Sequence, residues 1–170
     1  AADTTARLIL QTAKESPGET LLLPTGRTAT KVYTSLLRLA SEFAPDPFGD
    51  AYLMSDTETF GVYERHPTSR YNHVQSTLIE PLARQGLSPV PDHIRLLRGV
   101  ILEEDPIQAA NLTLRRHPPA IHVIAVAPSG EVIGYEVATY TDPSQVVHDR
   151  CRVIELSQTG KEYIDPDQPS

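Results

Sequence analysis

The chain has 170 residues, 39% of them apolar and 22% charged, a length that buries about 70% of the unfolded surface as one domain. A net charge of −7 without any Lys/Arg run argues against a nucleic-acid groove, which needs a clustered basic face, so an anionic ligand would have to be held by local geometry. Cys151 is the single cysteine, which excludes a disulfide framework and a cysteine zinc site and points to a reducing, cytoplasmic setting. No apolar run approaches the roughly 18 residues of a membrane helix, and no signal-peptide pattern is present. Ala1 opens the chain without a methionine, so a removed leader or expression tag stays open.

Thr4 to Lys14 carry a short helical stripe, and Ser16-Pro17-Gly18-Glu19 reads as a turn into a strand from Thr20 to Pro24. The stretch Leu21 to Thr28, LLLPTGRT, stands out. An apolar run is ended by Pro24, Gly26 supplies free backbone torsion, and a helical pattern begins near Thr28. Backbone amides at that helix start, the hydroxyls of Thr25 and Thr28 and the Arg27 guanidinium would suit a phosphate. The alternative is an ordinary strand-to-helix turn with Thr28 as N-cap.

From Thr28 to Phe43, apolar residues at three- and four-residue spacing predict an amphipathic helix. Ala44 to Gly49 is a Pro/Gly turn, Ala51 to Met54 a short strand, and Ser55 to Ser69 a long polar loop holding Asp56, Glu58, Glu64, Arg65 and His66. A helix follows from about Ser69 towards Ile79, with Pro81 ending or kinking it because the residue before a proline avoids helical torsions. Ile94 to Leu97 reads as a third strand, Pro106 to Arg116 as a further helix, and Ala120 to Ala127 as a fourth strand, apolar apart from His122. Continuous apolar strands alternating with helices predict an α/β fold with a mostly parallel sheet covered on both sides. Beyond it, the Pro128-Ser129-Gly130-Glu131 turn and the alternation in Val132 to Tyr140 predict a C-terminal β-hairpin. Arg152 to Leu156 could add a last strand. The domain is read as residues 1–156, with 157–170 a polar tail.

His66 and His73 straddle a loop and a helix without a spaced carboxylate, so they read as surface histidines and no metal is expected. Ser129 lacks a Gly-x-Ser-x-Gly elbow, and no GxGxxG fingerprint is present.

Three ordered blocks carry a resemblance. LLLPTGRTATKVYTSLL is similar to the phosphate-loop region of the glucosamine-6-phosphate deaminase (isomerase) family, in the superfamily that also holds the 6-phosphogluconolactonases. YLMSDTETFGVYERHPTSRY resembles that family's strand, Asp-Glu dipeptide and His-Pro loop. PDHIRLLRG resembles its Pro-x-x-Ile-x-Leu-Leu-x-Gly stretch, with IHVIAV and DPSQVVHDRCRVIEL following in order. The resemblance implies a three-layer Rossmann-like sandwich, a phosphorylated sugar as ligand and no cofactor. Homo-oligomer formation is left open.

The resemblance also implies roles. Anchored on His66-Pro67, the family's catalytic aspartate falls at Thr57 and its glutamate at Glu58, with Asp56 one position early. Asp56 is the better candidate base, Glu58 the other, and a solvated aspartate capping the loop is the plain alternative. Glu131 stands near the aspartate of the family's Asp-Gly-His loop, but Ile133 falls where its histidine would be. Asp142-Pro143 corresponds to the Glu-Pro pair used in ring opening, and Arg152 to a second phosphate ligand. Family chains continue further and supply a lysine to the phosphate, which this sequence lacks. The expectation is therefore a divergent relative that binds a sugar phosphate at Thr25, Gly26, Arg27, Thr28 and Arg152, with deaminase activity lost or altered. The alternatives are an active isomerase, deaminase or lactonase using Asp56 or Glu58, and a non-catalytic interaction or sensor domain.

Overall fold

A computed structural model describes residues 1–59, 61–100 and 106–124, without the side chains of Arg27, Thr28 and Pro106. Helix α1 (Ala2–Glu15) buries Ala6, Ile9, Leu10 and Ala13, one stripe at three- and four-residue spacing. Strand β1 (Thr20–Leu23) leads into α2 (Arg27–Leu39), which continues as a 3₁₀ turn over Ala40–Phe43. The helices are tied along their exposed edge, where Asp3 accepts from Ser35 Oγ at 2.7 Å and pairs with Arg38 at 2.7 Å.

Strand β2 (Tyr52–Ser55) lies parallel to β1, pairing Leu21 with Leu53 and Leu23 with Ser55. Two short helices follow, α3 (Arg70–Val74) and α4 (Glu80–Arg84), joined without a break by a π-type segment, Gln75–Ile79. After these come α5 (Pro106–Arg116) and β3 (Pro119–His122), and β3 adds to the other edge of β1, also parallel, giving the order β2-β1-β3.

Side-chain alternation along the strands produces three layers. Leu21, Leu23 and Leu53 pack into the larger core with α1, α2 and the α3–α4 helix, whereas Leu22 and Met54 meet Ala110 and Leu114 of α5 on the opposite face. The fold is thus the predicted α/β sandwich with a parallel sheet. The chain moves outward from β1 to β2 and then returns to the far side of β1, and such a reversal opens a crevice at the carboxyl ends of the strands. At the amino end, Tyr52 stacks against both His93 and His117, with ring centroids 4.4 and 3.7 Å away.

Two expectations change. The helix does not stop at Pro81 but runs on to Arg84, because Leu82 beyond it is fully buried and the π-type turn accommodates the proline. There the Glu80 amide reaches back to Gln75 O, five residues earlier. Residues 94–97 are not a full strand. They run beside the free edge of β2 through a single parallel bridge, Leu53 to Ile94, and the Leu97 amide bonds to the Ser55 hydroxyl at 2.9 Å instead of to a backbone carbonyl. The predicted fourth strand is formed over Pro119–His122, and its residues from 125 onward, the hairpin, the last strand and the tail lie outside the described residues. Among the described residues no helix is long and apolar enough to cross a membrane, and no three His, Cys, Asp or Glu side chains cluster to hold a metal.

Candidate functional site

The carboxyl ends of β1 and β2 carry the two loops that sequence reasoning singled out. After Leu23 the first loop turns at Pro24, whose carbonyl accepts from the buried Tyr33 hydroxyl, so α2 holds down its own entry loop. Gly26 caps α2 with φ 87° and ψ −172°, torsions that an L side chain rarely adopts. A Cβ there would also stand 2.8 Å from Arg70 Nη1, the movable tip of a flexible side chain, so the positive φ demands the glycine while the arginine would have to shift. Arg27 and Thr28 are the next two residues, opening α2.

The second loop begins with Asp56, whose amide donates to Leu23 O at 2.9 Å and so stays in register with β1. Thr57 Oγ1 donates to Asp56 Oδ1 at 3.1 Å. Thr57 Oγ1 also lies 2.7 Å from Thr25 Oγ1, a hydroxyl pair in which either partner can donate. A continuous path therefore links the glycine loop to the carboxyl. Burial raises the Asp56 carboxyl to about 6, against the opposing pull of the Thr57 and Thr25 hydroxyls and the Arg70 guanidinium. Burial also raises the Tyr33 phenol, and the nearby Asp56 charge adds to the effect.

Glu58 has a different placement. Its two oxygens receive four donors: the amides of Thr59 at 2.7 Å, Arg70 at 2.9 Å and Tyr71 at 2.6 Å, and Ser69 Oγ at 2.9 Å. Ser69, the N-cap of α3, accepts from the Asn72 amide at 3.2 Å. The orphan amides at the start of α3 are thus met by Glu58 and Ser69 together. The loop between them is braced by Arg98 pairing with Glu64 at 3.1 Å and by the Gly61 amide bonding to Gly99 O at 2.7 Å. A side chain on Gly99 would collide with the Thr59 and Val62 carbonyls.

From α3, Arg70 and His73 face the start of α2. His73 Nε2 meets Thr30 Oγ1 at 3.1 Å, and its ring lies 6.0 Å from that of Tyr33. Its Nδ1 is buried without a partner among the described residues. Burial, then the charge of Arg70, lowers its basicity, so the imidazole is held neutral. The surface reading made for His73 from sequence is corrected: the α2–α3 packing half buries it. His66 stays exposed, bonded to Thr68.

Of the predicted site residues, Thr25, Gly26, Asp56 and Glu58 come together at this end of the sheet, whereas Glu131, Asp142 and Arg152 lie outside the described residues. Sequence reasoning missed Arg70, Tyr33 and His73 as neighbours of the site. A signal existed for Arg70, since a cation in the first turn of a helix opposes the helix dipole.

The architecture is that of α/β proteins whose polar residues collect beyond the carboxyl ends of a parallel sheet. No family model and no curated protein matches the sequence. Among solved structures, a monomeric glucosamine-6-phosphate deaminase described as a missing link of the NagB superfamily shares the fold with a TM-score of 0.63 at 19% identity, over 77% of this chain and 53% of that one. The 6-phosphogluconolactonase of Thermotoga maritima shares it with a TM-score of 0.58 at 14% identity, over 84% of this chain and 63% of that one. The chain therefore spans about half the length of the deaminase. The fold expected from the sequence resemblance is the fold found.

Proposed function

We propose that this chain binds a phosphorylated sugar, with the phosphate on the Thr25–Thr28 loop and the carbon chain extending toward Asp56, and that deaminase turnover is lost or altered. The observation that carries this reading is geometric: the positive-φ Gly26 loop at the start of α2 is joined through the Thr25 and Thr57 hydroxyls to the buried Asp56 carboxyl, a group raised to about 6. Such a group changes protonation close to neutral pH, as a proton carrier next to a sugar carbon must. Glu58, with four donors on its oxygens, acts as the anchor of α3. Ile133 at the place of the family histidine removes a proton-transfer group, a loss of about two to four orders of magnitude in rate where such a group is used.

An active isomerase is the second reading, and the raised Asp56 carboxyl favours it. Asp56 would then take the proton from C2 of the open-chain sugar and return it to C1. One assay separates the readings. Purified protein is titrated with glucosamine 6-phosphate and with glucosamine, and ammonia and fructose 6-phosphate are measured in parallel. Binding of the phosphorylated sugar alone, without product, supports the first reading. Product formation that Asp56→Asn abolishes supports the second, and no binding of any sugar phosphate removes both in favour of an interaction or sensor domain.

A further inference from the structure

We propose that Arg70 is an anion-contact residue of this site, its guanidinium receiving the phosphate that rests on the Thr25–Gly26 backbone. The inference deepens the sugar-phosphate reading and rests on it. Arg70 Nη1 lies at the edge of the loop, 2.8 Å from the place a Cβ on Gly26 would occupy, so the glycine leaves room for the guanidinium. The arginine backbone is fixed, because its amide donates to Glu58 Oε1 at 2.9 Å. Among the described residues no carboxylate forms an ion pair with this guanidinium, and the arginines so engaged are Arg7, Arg38 and Arg98.

Asp56 feels the Arg70 charge without pairing with it. A planar fork of donors without a carboxylate partner suits the oxygens of a phosphate monoester, where two parallel bonds add geometry to charge. Arg70 therefore faces two anionic positions, the ligand phosphate over the glycine loop and the Asp56 carboxyl, and its placement sets the spacing between the bound and the reacting ends of a sugar. The other groups that bear on Asp56 are Thr25, Thr57 and Tyr33.

Calorimetric titration with glucosamine 6-phosphate and glucosamine tests the assignment on the full chain, its Arg70→Ala and Arg70→Gln variants, and Arg70→Lys. The expected result is at least tenfold weaker binding of the phosphorylated sugar by the neutral variants, partial recovery with lysine, and no change for glucosamine. Two further readouts distinguish contact from mere structural support. The Arg70 side-chain nitrogen resonances, assigned with Arg70→Lys, shift when glucosamine 6-phosphate is added to the wild-type chain, and this holds the test open even if the neutral variants fail to fold. The Asp56 carboxyl titrates at higher pH in ligand-free Arg70→Ala than in wild type. Wild-type binding that a folded neutral variant matches within twofold, or Arg70 resonances that stay still at saturation, would overturn the role of Arg70 and leave the sugar-phosphate reading standing. Failure of the wild-type chain to bind any sugar phosphate overturns both.

Discussion

Gly26 and Arg70 share a volume that a single side chain can fill: a Cβ on the glycine would stand 2.8 Å from the arginine Nη1. Gly26→Ala therefore meets both a positive φ and a steric conflict. The expected cost is about 1–3 kcal/mol of stability, together with displacement of the Arg70 guanidinium. Urea denaturation measures the first, and a lost response to glucosamine 6-phosphate in a thermal-shift assay reports the second. An alanine variant as stable as wild type would show that the loop yields freely.

The Asp56 carboxyl gives stability an unusual pH dependence. Its proton is held more tightly in the folded chain, at about 6, than at the ordinary aspartate value of 3.8. Folding therefore favours the protonated form. This contribution is complete below about pH 4, and it is lost as the pH rises through 6, amounting to at most about 3 kcal/mol. Asp56→Asn is expected to remove that slope and to raise stability at pH 7.5 by about 1–3 kcal/mol while abolishing any proton transfer. Chemical denaturation between pH 4.5 and 7.5 checks it, and parallel pH profiles for the two proteins would refute it.

Glu58→Gln tests the anchor. The amide keeps the shape of the carboxylate but turns one acceptor into a donor facing the hydrogens of Ser69, Arg70 or Tyr71. Loss of about 2–3 kcal/mol is expected, with faster hydrogen exchange at the Tyr71 amide than at amides of α1. Unchanged exchange at Tyr71 would mean that Ser69 alone suffices as the cap.

Tyr33→Phe removes the hydroxyl given to the Pro24 carbonyl and leaves that acceptor without its partner. A cost of about 1–3 kcal/mol follows. Glucosamine 6-phosphate should also bind less tightly, because the loop loses its tie to α2. Equal affinity for the two proteins would separate loop rigidity from ligand recognition.

The sheet and its helices were legible in the sequence because their signals are local. Leu21 to Leu23 announce a buried strand, and the stripe of Ala29, Tyr33 and Leu36 announces a half-buried helix. The failures have tertiary causes. Pro81 reads as ending or kinking its helix, yet burial of Leu82 draws the helix onward through a π-type turn. Ile94 to Leu97 reads as a strand, yet the Ser55 hydroxyl takes the amide that a ladder would have paired. At the candidate site, loop chemistry and resemblance singled out Thr25, Gly26 and Asp56, which the structure places side by side. The proximity of Arg70 to Gly26 depends on how α3 packs against α2, and no spacing within either segment encodes it. The same packing places His73 against Thr30.

The wide turn at Gln75–Ile79 sets the angular phase of the helix around it. Four residues overshoot one α-turn by about 40°, so the series Arg70, Val74, Leu78, Leu82 would drift by about 120° around a straight α-helix. The i→i+5 turn winds that drift back. Leu78 and Leu82 can then face the core that Val74 enters, while Arg70 remains at the loop. Forcing ordinary α-geometry through the turn, with no residue deleted, would rotate one end of the helix relative to the other by about 100°. The proline after the turn thus belongs to a mechanical gauge that fixes the direction of an arginine about three turns upstream.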